Sequence, residues 1–99
     1  MSTRADVTII DRNNKPHRFS IYRDAFPGEV ISNLSDDEMD LEDVKRRLSL
    51  RDDSEPFPDF FFSISLRDRT IEIYDADFDS TPCKRQNLIF SGTFAEAKQ

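Results

Sequence analysis

The chain predicts an α+β fold: an antiparallel β-sheet of about five strands with one main α-helix packed on one face, in the order β-β-α-β-β-β. Three observations lead there. Alternating apolar and polar residues recur before residue 24 and again after residue 59, the period-two pattern of half-buried strands. Between them, residues 36–50 carry apolar side chains at helical spacing. A sheet with one apolar face needs a covering layer, and a helix between two strands and three can supply it. The 99 residues make one domain, 1–99.

Residues 5–10 (A-D-V-T-I-I) place Val7 and Ile9 on one face and Thr8 and Ile10 on the other. Residues 12–15 (R-N-N-K) form a turn, since Asn tolerates the left-handed backbone of tight hairpins. Pro16 suits a strand edge because it lacks an N–H. Residues 17–23 then alternate Phe19 and Ile21 against Arg18, Ser20 and Tyr22. The pattern over 5–23 is a β-hairpin. Asp24 leaves the sheet as a cap or turn residue. Pro27 opens a short helical turn over 28–34 that brings Val30, Ile31 and Leu34 toward the core.

Leu41, Val44 and Leu48 fall at i, i+3 and i+7, one face of a helix of about three turns over 36–50. Ser35 with Glu38 three residues on is a capping-box pattern. Acids at 36, 37, 38 and 40 and bases at 45–47 suit the helix macrodipole. Glu42 with Arg46, and Asp43 with Arg47, are i,i+4 pairs in the favourable order.

Residues 51–59, with two prolines and acids at 52, 53, 55 and 59, predict an extended, exposed connector. Residues 59–66 are the strongest strand, with Phe60, Phe62, Ile64 and Leu66 opposed to Phe61, Ser63 and Ser65. Residues 67–69 turn, and 70–75 return with Ile71 and Ile73 inward and Glu72 and Tyr74 outward. A polar loop follows over 75–84. Residues 85–92 are the last strand, with Leu88 and Phe90 inward, and 95–99 read as a frayed end.

Composition narrows function. Net charge is −6, with ten acids against eight bases in residues 1–50 and ten against six in 51–99. Direct nucleic-acid binding needs a basic face and is not expected, nor is attraction to an anionic membrane. The longest apolar run, Phe60-Phe61-Phe62, is far short of a membrane span. Residues 1–6 carry no apolar signal core. The single cysteine, Cys83, fits a reducing compartment. A cytoplasmic location is the expectation.

The opening Ser2-Thr3-Arg4, followed by strand, turn and strand and then Tyr22-Arg23-Asp24-Ala25-Phe26-Pro27-Gly28-Glu29-Val30, resembles uncharacterised small proteins of phages and bacteria. Those open with Ser-Thr-Arg or Gly-Thr-Arg and carry a Trp-Asp-Gly-Tyr-Pro segment leading into a helix. Asp24, the aromatic at Phe26, Pro27 and Val30 match; Arg23 stands in place of the Trp and Ala25 in place of the Gly. The resemblance covers about the first third of the chain. It implies a phage or mobile-element origin, and it transfers no activity and no catalytic residue.

No motif supports catalysis, and a non-enzymatic role is expected. Asp75, Asp77 and Asp79 mimic the opening of an EF-hand loop, but Ser80 stands where that loop needs Gly and Gln86 where it needs Glu. No calcium site, other metal or cofactor is expected. His17 and Cys83 are single, too few for a zinc ligand set, and nothing in their spacing argues for a thiolate–imidazole pair. Gly28 and Gly92 cannot build a phosphate-cradling loop. Phe61, Tyr22 and Tyr74, with Arg18, could share an outer face suited to an interface, or could lie under another packed element.

The strongest signal is charge: six of the eight residues over 36–43 are acidic. One reading is a solvated surface that needs no partner. The sharper one is a small acidic protein-binding module that docks on a basic, nucleic-acid-binding surface of another protein, concretely a phage inhibitor of the anti-CRISPR or DNA-mimic type. Its candidate partner-binding residues are Asp36, Asp37, Glu38, Asp40, Glu42, Asp43, Asp75, Asp77 and Asp79. The alternative is a structural or accessory protein that associates with itself through a sheet edge.

Overall fold

The hairpin forms as its alternation requires. In the computed structural model, which describes residues 3–53, 55–77, 79–80 and 83–99, β1 (Ala5–Ile10) pairs antiparallel with β2 (Pro16–Ile21). The Asp11 carboxylate accepts the N–H groups of Asn13 and Lys15, both at 2.9 Å, and Asn14 takes the left-handed conformation at φ 66°. Two helices follow, α1 (Pro27–Ser32) and α2 (Leu41–Leu48), then β3 (Phe60–Ser65), β4 (Thr70–Asp77), β5 (Lys84–Thr93) and α3 (Phe94–Ala97).

The strands form one sheet in the order β2-β1-β3-β4-β5. It is mixed rather than antiparallel throughout, because β3 runs parallel to β1 while the other pairs are antiparallel. The chain crosses over through α1 and α2 and re-enters beside β1, on the side away from β2. That placement makes the apolar β1 an interior strand, with Ala5, Val7 and Ile9 fully buried, and leaves proline-bearing β2 at an edge, where a missing donor costs least.

One face carries the core. Phe19, Val7, Phe62, Ile73 and Phe90 stand level across all five strands. Val30, Leu34, Met39, Val44 and Leu48 pack against them from the helical side. Each large apolar side chain buried this way contributes about 1.5–3 kcal/mol.

The helical layer differs from the expected single main helix. Three short helices are present, and α2 begins at Leu41, not at residue 36. Asp40 is the N-cap; its carboxylate accepts the Asp43 N–H at 2.9 Å, and the Asp43 carboxylate accepts the Asp40 N–H at 3.3 Å. Ser35 caps no helix and instead accepts the Asp37 N–H. The reason lies in Met39, which is 4% exposed. Two residues before Leu41, it would stand about 200° round a continuous helix from the Leu41 face. Ending the helix at Asp40 lets Met39 and Leu41 both pack inward. Arg46 pairs with Asp43 at i,i+3, 2.8 Å, in place of the expected i,i+4 pairs.

Three further expectations change. The connector is not simply exposed: Pro58 is fully buried and Glu55 is 9% exposed. Residues 94–97, which overlap the 95–99 stretch that reads as frayed, form α3, capped reciprocally by Thr93 and Glu96 and anchored by buried Phe94. Leu88 does not point inward; it is 53% exposed. Ile73 pairs with Phe90 but Tyr74 with Leu88, so Ile89 is an extra residue on β5. That bulge turns Leu88 to the outer face beside Tyr74. Ser2 of the Ser-Thr-Arg motif, Ser54 of the connector, and Phe78 and Pro82 of the 75–84 segment lie outside the described residues. Among the described residues no helix is long and apolar enough to cross a membrane.

Candidate functional site

The acidic run occupies a crossing loop followed by the first turn of α2. Cations from three distant parts of the chain hold that loop. Arg12, in the β1–β2 turn, donates to the Met39 carbonyl at 3.4 Å and pairs with Glu38 at 2.9 Å. Arg69, in the β3–β4 turn, donates to the Asp36 carbonyl at 2.9 Å. Lys98 lies 3.8 Å from the Asp36 carboxylate. Buried Met39 pins the loop from below. Asp40 and Asp43 are taken up in the helix cap. The Asp40 N–H, and then Arg46, hold the Asp43 carboxyl below its ordinary range. Asp37 and Glu42 are exposed and make no ion pair among the described residues.

The second acidic group stands elsewhere. Asp36 lies beside Arg69 at the start of β4, whereas Asp77 ends that strand. Along an eight-residue strand the separation is about 23 Å. The nine candidate residues therefore form two groups, 36–43 at one end of the sheet and 75–79 at the other. Asp75 accepts both the Asn87 N–H at 2.7 Å and its side-chain amide at 3.2 Å. Asp77 accepts the Ser80 hydroxyl at 2.7 Å and the Asp79 N–H at 3.0 Å. The hydroxyl of Ser80 first, then the Asp79 N–H, lowers the Asp77 carboxyl. These bonds use the carboxylates to hold strand β5 and a turn. Among the described residues, no cluster of three or more His, Cys, Asp or Glu is placed to hold a metal ion.

His17 and Cys83 are apart. His17 Nε2 lies 2.9 Å from the Asp11 carboxylate, and its ring stacks on Phe19. Burial pushes the Cys83 thiol up, and the nearby Asp77 and Asp59 carboxylates push it further. That is the reverse of what a thiolate nucleophile needs. Every buried side-chain nitrogen or oxygen among the described residues has a hydrogen-bond partner.

Thr3 and Arg4 meet Tyr22 and Ala25 in space. The Thr3 carbonyl accepts the Ala25 N–H at 3.2 Å, and Asp24 takes a left-handed φ of 54°. Arg4 and Arg51 lie 4.5 and 5.1 Å from the centre of the Tyr22 ring. Arg4 also donates to the Tyr22 hydroxyl at 3.2 Å and pairs with Glu55 at 3.5 Å. The four make a surface clasp joining the hairpin to the connector. Of the expected outer-face aromatics, Phe61 is buried at 7% exposure and Tyr74 stands opposite it under Arg85.

Sequence reasoning missed one surface, the edge of β5 around Leu88 and Ile89, which are 53% and 50% exposed. A signal for it is present in the run Leu88-Ile89-Phe90: three successive apolar residues cannot all face one side of a regular strand. It also missed a cleft of about 200 Å³ that α1 and the end of α2 form with the β2–α1 loop, lined by Arg23, Asp24, Glu29, Asn33, Arg47 and Ser49. Both signs of charge line it. Comparison with protein-family models, curated proteins and solved structures returns no match.

Proposed function

We propose that this chain is a small acidic binding module that docks on a basic surface of a partner protein, a surface of the kind that otherwise holds nucleic acid. One observation carries the reading. Arg12 and Arg69 hold the acidic loop largely through main-chain carbonyls of Met39 and Asp36, so the loop is fixed while Asp37 and Glu42 keep their carboxylates outward. A preformed loop loses little conformational freedom on binding, and outward carboxylates in a chain of net charge −6 steer it toward cations. The 75–79 acids serve as a separate negative region at the far end of the sheet. The likeness of residues 2–4 and 22–30 to small phage and bacterial proteins makes an inhibitor of the anti-CRISPR or DNA-mimic type the concrete form of this proposal.

The test is capture of partners from the source cells at low and high salt, with competing DNA or RNA as a third arm. The reading expects a nucleic-acid-binding partner that elutes with salt, is displaced by nucleic acid, and is lost with D37N/E42Q. A partner held equally by that variant, or untouched by salt and nucleic acid, would overturn it.

A further inference from the structure

We infer that the cleft between α1, the end of α2 and the loop after β2 binds a free α-amino acid, held at once by its carboxylate and its ammonium group. This rests on observations separate from the acidic loop. The cleft encloses about 200 Å³, below the size of sites for drug-sized molecules and suited to a smaller metabolite. Its rim carries two cations, Arg23 and Arg47, and two anions, Asp24 and Glu29. None of the four makes an ion pair among the described residues.

The backbone brings these charges to one place. In a regular strand the side chains of consecutive residues point to opposite faces. Asp24 instead takes a left-handed φ of 54° just past β2, and Arg23 and Asp24 both line the cleft. That turn does not cap α1, whose N-cap is Phe26. The other two charges stand on helices fixed from below: Glu29 precedes buried Val30, and Arg47 precedes buried Leu48. Sites on such fixed elements lose little freedom on binding.

The ligand class follows from the two signs. A simple anion would leave Asp24 and Glu29 facing it, and a simple cation would leave Arg23 and Arg47. An α-amino acid answers both. Its carboxylate takes the guanidinium donors, and its ammonium, with three N–H groups, donates to the carboxylates. A peptide, which keeps only one of the two charges at each end, does not match.

Amide NMR of the isotope-labelled full chain, titrated with L-alanine to about 100 mM at fixed ionic strength, tests this. Saturable shifts are expected within 21–33 and 47–49, with a dissociation constant of about 1–10 mM. N-acetylalanine, which lacks the ammonium, and alanine amide, which lacks the carboxylate, should each bind about tenfold more weakly or worse. The variants match the analogues. R23Q/R47Q should abolish the preference for alanine over its amide, and D24N/E29Q the preference over N-acetylalanine. All four side chains are exposed, so the variants should keep the fold. No saturable shift by 100 mM, shifts centred elsewhere, analogues that bind as well as alanine, or preferences that survive in the matching variants would overturn the inference.

Discussion

The two edges of the sheet are built from opposite chemistry. At the β2 edge, Pro16 removes a donor, Arg51 bridges Ser20, and Arg18 crosses to the buried carboxylate of Asp6. Arg4, Arg51 and Tyr22 then fasten the connector over that side. At the β5 edge, a longer strand carries exposed Leu88 and Ile89 and no cover from the described residues. The lesson is that one chain manages the hazard of exposed strands in two ways. One edge is sealed by a connector that the helical crossover brings past it. The other is left unsealed, marked by charge at its ends and by a bulge in its middle.

The comparison can be broken from either side, and the largest effect is expected where β5 is anchored. Phe94, 2% exposed, ties the end of β5 to the core. F94A should cost about 3–5 kcal/mol, read as a lower urea midpoint at unchanged slope. A cost under 1 kcal/mol would mean that α3 does not hold this edge.

The sealed edge should show an asymmetry. The Asp6 side chain is 5% exposed, whereas its partner Arg18 is 69% exposed. R18A strands a buried carboxylate and should cost about 1–3 kcal/mol. D6A strands only a solvated guanidinium and should cost less. Equal costs would show that the pair is not the seal described here.

The α2 cap, which sets where the acidic loop ends, comes next. D40A should lose about 1 kcal/mol at neutral pH. Asp43 adds a pH signature, because its folded carboxyl lies below the ordinary 3.8. A lowered folded pKa means that its contribution is complete above 3.8 and fades as pH falls through the lower folded value. The stability gap between the native chain and D43N should therefore be constant from neutral pH down to about 4 and then narrow. A gap that widened on acidification would reverse the sign and exclude the cap as its source.

The smallest effect on folding belongs to the unsealed edge. L88K and I89K each replace half-exposed side chains and should change unfolding free energy by no more than about 0.5 kcal/mol in dilute solution. That near-silence would mark Leu88 and Ile89 as side chains that the fold does not use for packing.

Much of the fold is legible in the residues, because strand alternation is a local property. Val7 with Ile9, Phe19 with Ile21, and Phe62 with Ile64 all turn inward as their spacing requires. What escapes is set by distant partners. Nothing local in 5–10 says that β3 will run beside it in parallel. The acids at 36–38 satisfy every local preference of a helix start, yet buried Met39 and the Asp40 cap move the start to Leu41. Leu88 follows the alternation rule until an extra residue in β5 inverts it. The acidic candidates show the same limit. Their number is plain in the sequence, but their division into two groups depends on the crossing loop and on β4.

Amide hydrogen exchange, followed residue by residue, tests the difference between the edges most directly. The Ser20 and Arg51 amides, paired to each other across the sealed edge, should be protected. Within residues 84–93, the amides that face away from β4 should exchange freely in dilute solution. Protection of those amides in dilute solution, or free exchange at Ser20 and Arg51, would contradict the account.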